Sequence, residues 1–67
     1  MSPRQVKAAE SRVEKAYYAK CRGIQIGIMD IPHVFAAGVE AIKAAPDLSD
    51  AELQDVVYAF VQTIRKN

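Results

Sequence analysis

Three prolines divide this chain into stretches that can and cannot be helical. A proline inside a helix costs about 3 kcal/mol or more, because it removes a hydrogen bond and its ring clashes with the preceding turn. In the first helical turn the missing amide hydrogen has no partner to lose. Pro3 and Pro32 therefore favour helix starts, and Pro46 favours a helix end. The sequence predicts an all-α domain of three helices.

Capping signals place the first and last helices. Two serines each stand three residues before a glutamine or a glutamate, the spacing of a capping box: Ser2 with Gln5, and Ser49 with Glu52. Gly23 supplies the left-handed stop that commonly follows a helix. We predict helices over about residues 3–22 and 50–65. A hydrophobic staple between Leu48 and Leu53 reinforces the start of the second of these.

The middle helix is predicted over about residues 31–45, with Asp30 as its N-cap. Its apolar side has Gly38 at the centre. A glycine inside a helix costs about 1 kcal/mol relative to alanine. We therefore expect Gly38 to mark a close crossing with another helix.

Each predicted helix carries apolar residues at spacings of three and four, which is typical of a helix that faces a core. The predicted core sides consist of Val6, Ala9, Val13, Ala16, Tyr17 and Ile24 from the first segment, Ile31, Val34, Phe35, Gly38, Ile42 and Ala45 from the second, and Leu53, Val56, Val57, Phe60, Val61 and Ile64 from the third. All three helices thus have one side to bury.

Residues 23–30 join the first two helices and alternate isoleucine with glutamine or glycine. A period of two indicates an extended segment, but a lone strand has no sheet to join within this chain. We predict an extended apolar connector that lays some isoleucines over the helical core and leaves others for a second subunit. Two alternatives stay open. The segment pairs with a copy of itself across a dimer axis, or the chain's own core is covered by all of Ile24, Ile26, Ile28 and Met29.

The size of the chain limits how much core it can close. A domain of 67 residues buries only about 60% of the surface of its unfolded chain and is marginally stable. Cys21 is the only cysteine, so no internal disulfide can staple the fold. One cysteine and one histidine cannot complete a zinc site. We therefore expect a single domain over residues 1–67 that forms a homo-oligomer, without a metal or other cofactor.

Charge is distributed unevenly along the chain. Residues 1–23 hold six basic and two acidic side chains, whereas residues 24–63 hold one lysine and six carboxylates. The side of the first helix opposite its core carries a basic stripe of Arg4, Lys7, Ser11, Lys15, Tyr18 and Arg22. This stripe is suited to phosphates, with Tyr18 stacking on a base. The alternative is a solvated face whose charges pair with Glu10 and Glu14 at helical spacing.

Several functional classes lack support in the sequence. The first ten residues contain no apolar run, so we expect no signal peptide. No stretch approaches the ~20 apolar residues of a membrane span, and we expect a cytoplasmic protein that does not bind membranes.

Catalysis by Cys21 would need His33 within hydrogen-bond reach. We expect instead a buried thiol, a solvated histidine and no enzyme. A helix-turn-helix is disfavoured because the last helix would present three carboxylates to DNA phosphates, those of Asp50, Glu52 and Asp55.

The remaining hypothesis is a small non-enzymatic protein that binds a macromolecular partner as an inhibitor, adaptor or regulatory subunit. A compact product of this size fits a phage or a mobile element. The alternative function is binding of nucleic acid or a phosphorylated nucleotide through the basic stripe. Exposed tyrosines are enriched at interfaces, and two of them fall outside the core sides. The predicted partner-binding residues are Arg4, Lys7, Lys15, Tyr18, Arg22, Ile26, Ile28 and Tyr58.

Overall fold

The structure, a computed structural model, describes residues 1–66 and is built from three helices that all pack against one another. They are α1 (Pro3–Lys20), α2 (Ile31–Ala44) and α3 (Asp50–Lys66). No strand is present among the described residues. The predicted all-α, three-helix fold is confirmed, with helix ends within two residues of the predicted ones. The predicted domain 1–67 extends one residue beyond the described part of the chain.

The predicted capping box opens α1. The amide of Gln5 donates to Ser2 Oγ at 3.2 Å, and the amide of Ser2 donates to Gln5 Oε1 at 2.9 Å. At the other end, the amide of Cys21 donates to the carbonyl of Tyr17 at 2.7 Å. The chain then leaves the helix through Gly23, whose φ of +86° lies in the left-handed region that favours glycine. The stop predicted at Gly23 is therefore confirmed.

The second capping box opens α3. The amide of Glu52 donates to Ser49 Oγ at 3.1 Å, and the amide of Ser49 donates to Glu52 Oε1 at 3.2 Å. These hydrogen bonds lower the pKa of the exposed Glu52 carboxyl, because they stabilise its charged form. Leu48 packs against the core that contains Leu53, as the predicted staple requires.

Asp30 is the N-cap of α2, as predicted, but its side chain does not cap the helix. Its carboxylate makes no capping hydrogen bond. A capping side chain needs extended backbone at the N-cap, whereas Asp30 has helical dihedrals, with φ at −88° and ψ at −19°. The amide of Asp30 donates to the carbonyl of Gly27 at 2.9 Å and closes the preceding turn. This turn already holds the backbone of Asp30 in the helical conformation.

Arg12 ties α1 to the start of α3. Its Nη2 donates to the carbonyl of Leu48 at 2.8 Å and to Asp50 Oδ1 at 2.9 Å. Its Nε lies 3.3 Å from the same carboxylate oxygen. A planar guanidinium can reach both acceptors at once. The sequence pattern does not predict this contact, since Arg12 belongs neither to a core side nor to the basic stripe.

The core is built from small and medium apolar side chains. It consists of Ala9, Val13, Ala16, Cys21, Val34, Val39, Ile42, Leu53, Val57 and Val61. Larger side chains pack around this core and stay partly exposed: Tyr17, Ile24, Ile26, Phe35, Leu48, Phe60 and Ile64. The interior between the three helices therefore encloses none of the aromatic rings.

Val56 and Val39 depart most clearly from the predicted core sides. Val56 is 36% exposed, because it lies about 100° around α3 from the buried Val57 and reaches only the edge of the interface. Val39 is buried although the predicted side of α2 left it out. The buried side of α2 is wider than one stripe, since the helix contacts both α1 and α3.

Gly38 lies at the predicted close crossing. A Cβ atom placed there would stand 2.6 Å from Val13 Cγ1 and 2.7 Å from Val13 Cγ2. Carbon atoms pack at about 3.5–4.0 Å. Only a glycine at this position lets α2 approach α1 so closely. The prediction from the sequence is confirmed.

We expect Gly38→Ala to destabilise the domain by about 1–2 kcal/mol, because overpacking typically costs about 1–3 kcal/mol and the better helix propensity of alanine returns only part of it. Val13 is β-branched and cannot easily turn its methyl groups away. Urea denaturation measures the change.

A matched double variant controls for this interpretation. Val13→Ala removes the two methyl groups that the new Cβ would meet, so its combination with Gly38→Ala should cost less than the sum of the single changes. A Gly38→Ala protein as stable as the wild type would contradict the close crossing.

Candidate functional site

Two turns shape the connector between α1 and α2. The amide of Ile24 donates to the carbonyl of Cys21 at 3.0 Å, and the amide of Asp30 donates to the carbonyl of Gly27 at 2.9 Å. Between these turns, residues 24–27 have no regular secondary structure. Ile24 and Ile26 pack against the core from this stretch.

The second turn breaks the alternation of the connector and exposes its last two apolar side chains. Ile28 and Met29 occupy the centre of the turn from Gly27 to Asp30. They are 81% and 79% exposed, respectively. We call this pair the apolar tip. The alternative in which all four large side chains of the connector cover the chain's own core is therefore wrong.

An apolar groove between α1 and α2 begins just after the apolar tip. It has a volume of about 460 Å³. Its apolar lining is formed by Ile31, Pro32, Phe35, Ala36 and Val39, and Glu10 and Glu40 complete it. We call it the α1–α2 groove. The first two lining residues of α2 directly follow the turn that carries the tip, so tip and groove are neighbours on the surface.

Aromatic rings continue this apolar surface along α1. The ring centroid of Tyr17 lies 6.1 Å from that of Phe35 in α2 and 5.5 Å from that of Tyr18, which is 60% exposed. A second groove of about 490 Å³ adjoins them, lined by Tyr17, Tyr18, Cys21, Arg22, Gly23 and Ile24. Since Tyr17 lines one groove and touches the Phe35 ring that lines the other, the two grooves form one surface.

The basic stripe is solvent-exposed along its whole length. Ion pairs within residues 1–66 join Arg12 to Asp50 and Lys43 to Glu40, and no other pair is closer than 4.0 Å. The pairing of the stripe with Glu10 and Glu14, expected under the solvated-face alternative, is therefore not formed. The stripe cations in the described chain carry no neutralising carboxylate.

Of the predicted partner-binding residues, Tyr18 and Arg22 line the second groove together, and Ile28 belongs to the apolar tip. Ile26 packs against the chain's own core and offers less to a partner than Ile28 does. Tyr58 lies elsewhere, where α1 meets α3, with Lys20 Nζ 5.7 Å from its ring centroid. Tyr58 is 38% exposed, and this cation–π contact accounts for its position without a partner.

Cys21 and His33, the two residues considered for catalysis, differ in their exposure to solvent. Cys21 is buried with 1% exposure, and loss of solvent raises the pKa of its thiol, an effect that the nearby Lys20 ammonium opposes. His33 is exposed on α2. Over residues 1–66 no group of three or more histidine, cysteine, aspartate or glutamate side chains is arranged to hold a metal ion.

Similarity to known proteins does not indicate the function of this chain. No protein-family model matches the sequence, and neither a curated protein nor a solved structure is similar enough to match it. None of the three described helices has the length and apolar character to cross a membrane. The surface itself therefore carries the functional argument.

We expect the Cys21 thiol to react with a disulfide reagent such as DTNB far more slowly in the folded protein than in urea. Burial blocks access, and the raised pKa keeps the thiolate fraction low up to and beyond the ordinary thiol pKa. Absorbance of the released thiolate dye follows the reaction. Equal rates for the folded and unfolded chain would show that the thiol is accessible and reactive.

Proposed function

We propose that this chain is a non-enzymatic helical interaction protein that self-associates and binds a macromolecular partner as an inhibitor, adaptor or regulatory subunit. The observation that supports it is the exposure of the apolar tip, where Ile28 and Met29 keep 81% and 79% of their surface in water. Single exposed apolar residues are common on monomers, but a contiguous patch marks an interaction site. The tip adjoins the α1–α2 groove, and together they make such a patch.

The total surface of the chain supports the same proposal. The protein exposes 4756 Å², roughly 550 Å² more than the about 4,200 Å² expected of a monomer of its 7.4 kDa mass. A partner in a typical specific interface contributes about 800 Å². The excess is therefore of the order that one interface would remove.

The distribution of side-chain size adds a third argument. Valines, alanines, one leucine, one isoleucine and one cysteine fill the core, whereas the two phenylalanines and three tyrosines all keep part of their surface in water. Aromatic side chains contribute most to core and interface energetics. A chain that leaves all of them at the periphery has much to gain from association.

A second candidate function rests on the basic stripe. Its cations have no carboxylate partner within the described residues, and Tyr18 stands among them with 60% of its surface exposed. Lysine and arginine bind phosphates, and an aromatic ring stacks on a nucleobase. Nucleic acid or a phosphorylated nucleotide is therefore the alternative ligand. The near-neutral net charge of +1 makes it the weaker candidate.

We expect light scattering coupled to size exclusion to show at least a dimer at micromolar concentration. Ile28→Asp should shift the protein toward monomer, because a charge forced into an apolar interface without a partner is costly. Ile28 is exposed, so the variant should still fold as a monomer, with a urea midpoint lowered only by what dimerisation contributes to the wild type. A wild type that stays monomeric over the whole concentration range would refute self-association.

Titrations of labelled single-stranded DNA, double-stranded DNA, RNA and common nucleotides at two salt concentrations test the second candidate. If the stripe binds phosphates, affinity should fall steeply with salt because counterions are released, and Tyr18→Ala should weaken binding by ~1–3 kcal/mol. Charge reversal at Lys15 and Arg22 should abolish it, whereas reversal at Lys43, which pairs with Glu40 on α2, is the matched control. No binding even at low salt would eliminate this candidate.

A further inference from the structure

We propose that a second copy of this chain covers the apolar surface, with the apolar tip of each protomer seated in the α1–α2 groove of the other. This inference rests on the self-association proposed above and specifies how it occurs. The structure supplies both halves of the contact on one molecule, a protruding apolar pair and a concave apolar lining.

The position of the two halves fits a two-fold axis. In a symmetric dimer, the same surface patch serves both subunits, and if one feature contacts another, the reverse contact forms as well. The tip is at residues 28 and 29, and the groove begins at residues 31 and 32. A two-fold axis that passes between the tip and the groove places the tip of each subunit over the groove of the other. Both tips and both grooves are then covered at once.

The shapes and chemistry of the two halves are complementary. The side chains of Ile28 and Met29 are uncharged and project from a turn, and an unbranched methionine adapts readily to an irregular cavity. Phe35 and Ala36 belong to the apolar lining of the groove, and the side chain of alanine occupies little space there. Its glutamates, Glu10 and Glu40, are exposed and can remain in water at the edge of a dimer.

A second copy is favoured over a peptide as the occupant because this chain carries both the exposed apolar pair and the apolar lining that would receive it. A chain of 67 residues closes little core by itself, and its roughly 550 Å² of surface beyond that of a typical monomer approaches one side of an ordinary dimer interface. Two tips and two grooves meeting across one axis would cover Ile28, Met29 and the apolar lining of the α1–α2 groove on both subunits.

Two complementary variants test the contact. Ile28→Glu puts a carboxylate on the tip, where it would meet an apolar lining and two native glutamates. Ala36→Lys puts an ammonium on that lining, at an exposed helix position where lysine is well tolerated. Each variant alone should raise the dimer dissociation constant by about tenfold or more. The carboxylate of Ile28→Glu would be buried without a partner, and the long side chain of Ala36→Lys would fill the groove that the partner's tip enters.

An equimolar mixture of the two variants should recover the dimer. In the mixed dimer one contact is the native one, and the other brings the introduced carboxylate against the introduced ammonium. Sedimentation equilibrium on the single variants and the mixture, with one chain carrying a visible dye, measures the heterodimer directly. Val56→Glu is the matched control, since Val56 is a partly exposed apolar residue on α3 that lines neither groove, and it should leave the dimer unchanged.

The outcomes separate this inference from the function on which it rests. If the wild type is a monomer, both self-association and the present contact are overturned. The same holds if the monomer forms a larger complex only when a different protein is added. A wild-type dimer that Ala36→Lys does not weaken preserves self-association and overturns the tip-in-groove contact. Loss of the dimer with Ile28→Glu but no recovery in the mixture indicates tip-to-tip pairing and overturns it too. Mass that grows without limit as concentration rises would show open polymers in place of the two-fold dimer.

Discussion

The close approach of Gly38 to Val13 sets the position of α2 against α1, and the apolar surface depends on that position. A side chain at Gly38 would meet both methyl groups of Val13 and force the helices apart. Phe35 is partly buried against the core and contacts Tyr17, with ring centroids 6.1 Å apart. The narrow crossing thus also sets the position of Phe35, which lines the α1–α2 groove.

The sequence predicts the local features of this fold well, because each depends on a few neighbouring residues. Both capping boxes, the left-handed Gly23 and the helix count follow from short motifs. The long-range contact of Arg12 with Asp50 could not be predicted, since it joins residues that only the packing of α1 on α3 brings together. Val39 was missed for a similar reason, as a single-stripe helical wheel does not show that α2 has two neighbours.

The connector shows where sequence periodicity stops being informative. Alternation over residues 24–28 singles out three large apolar side chains at a spacing of two, which would place all three on one face. It does not indicate which ones face outward, because the hydrogen-bonded turn from Gly27 to Asp30 overrides the period of two at Ile28. The same turn fixes the helical backbone of Asp30 and prevents its side chain from capping α2. One turn therefore accounts for the missing side-chain cap and for the exposed tip.

Tyr18 and Arg22 connect the two surfaces of the molecule, because they belong to the basic stripe and also line the groove next to the Tyr17 ring. A dimer formed through the tips and the α1–α2 grooves would leave the outer stripe residues, such as Arg4 and Lys15, in water on each subunit. An anionic partner long enough to touch both copies would then bind two stripes at once. Linking two binding events in this way raises the overall affinity without any new contact. Self-association and partner binding would thus reinforce each other. A substitution at Ile28 would weaken both interactions, although Ile28 contacts only the second subunit.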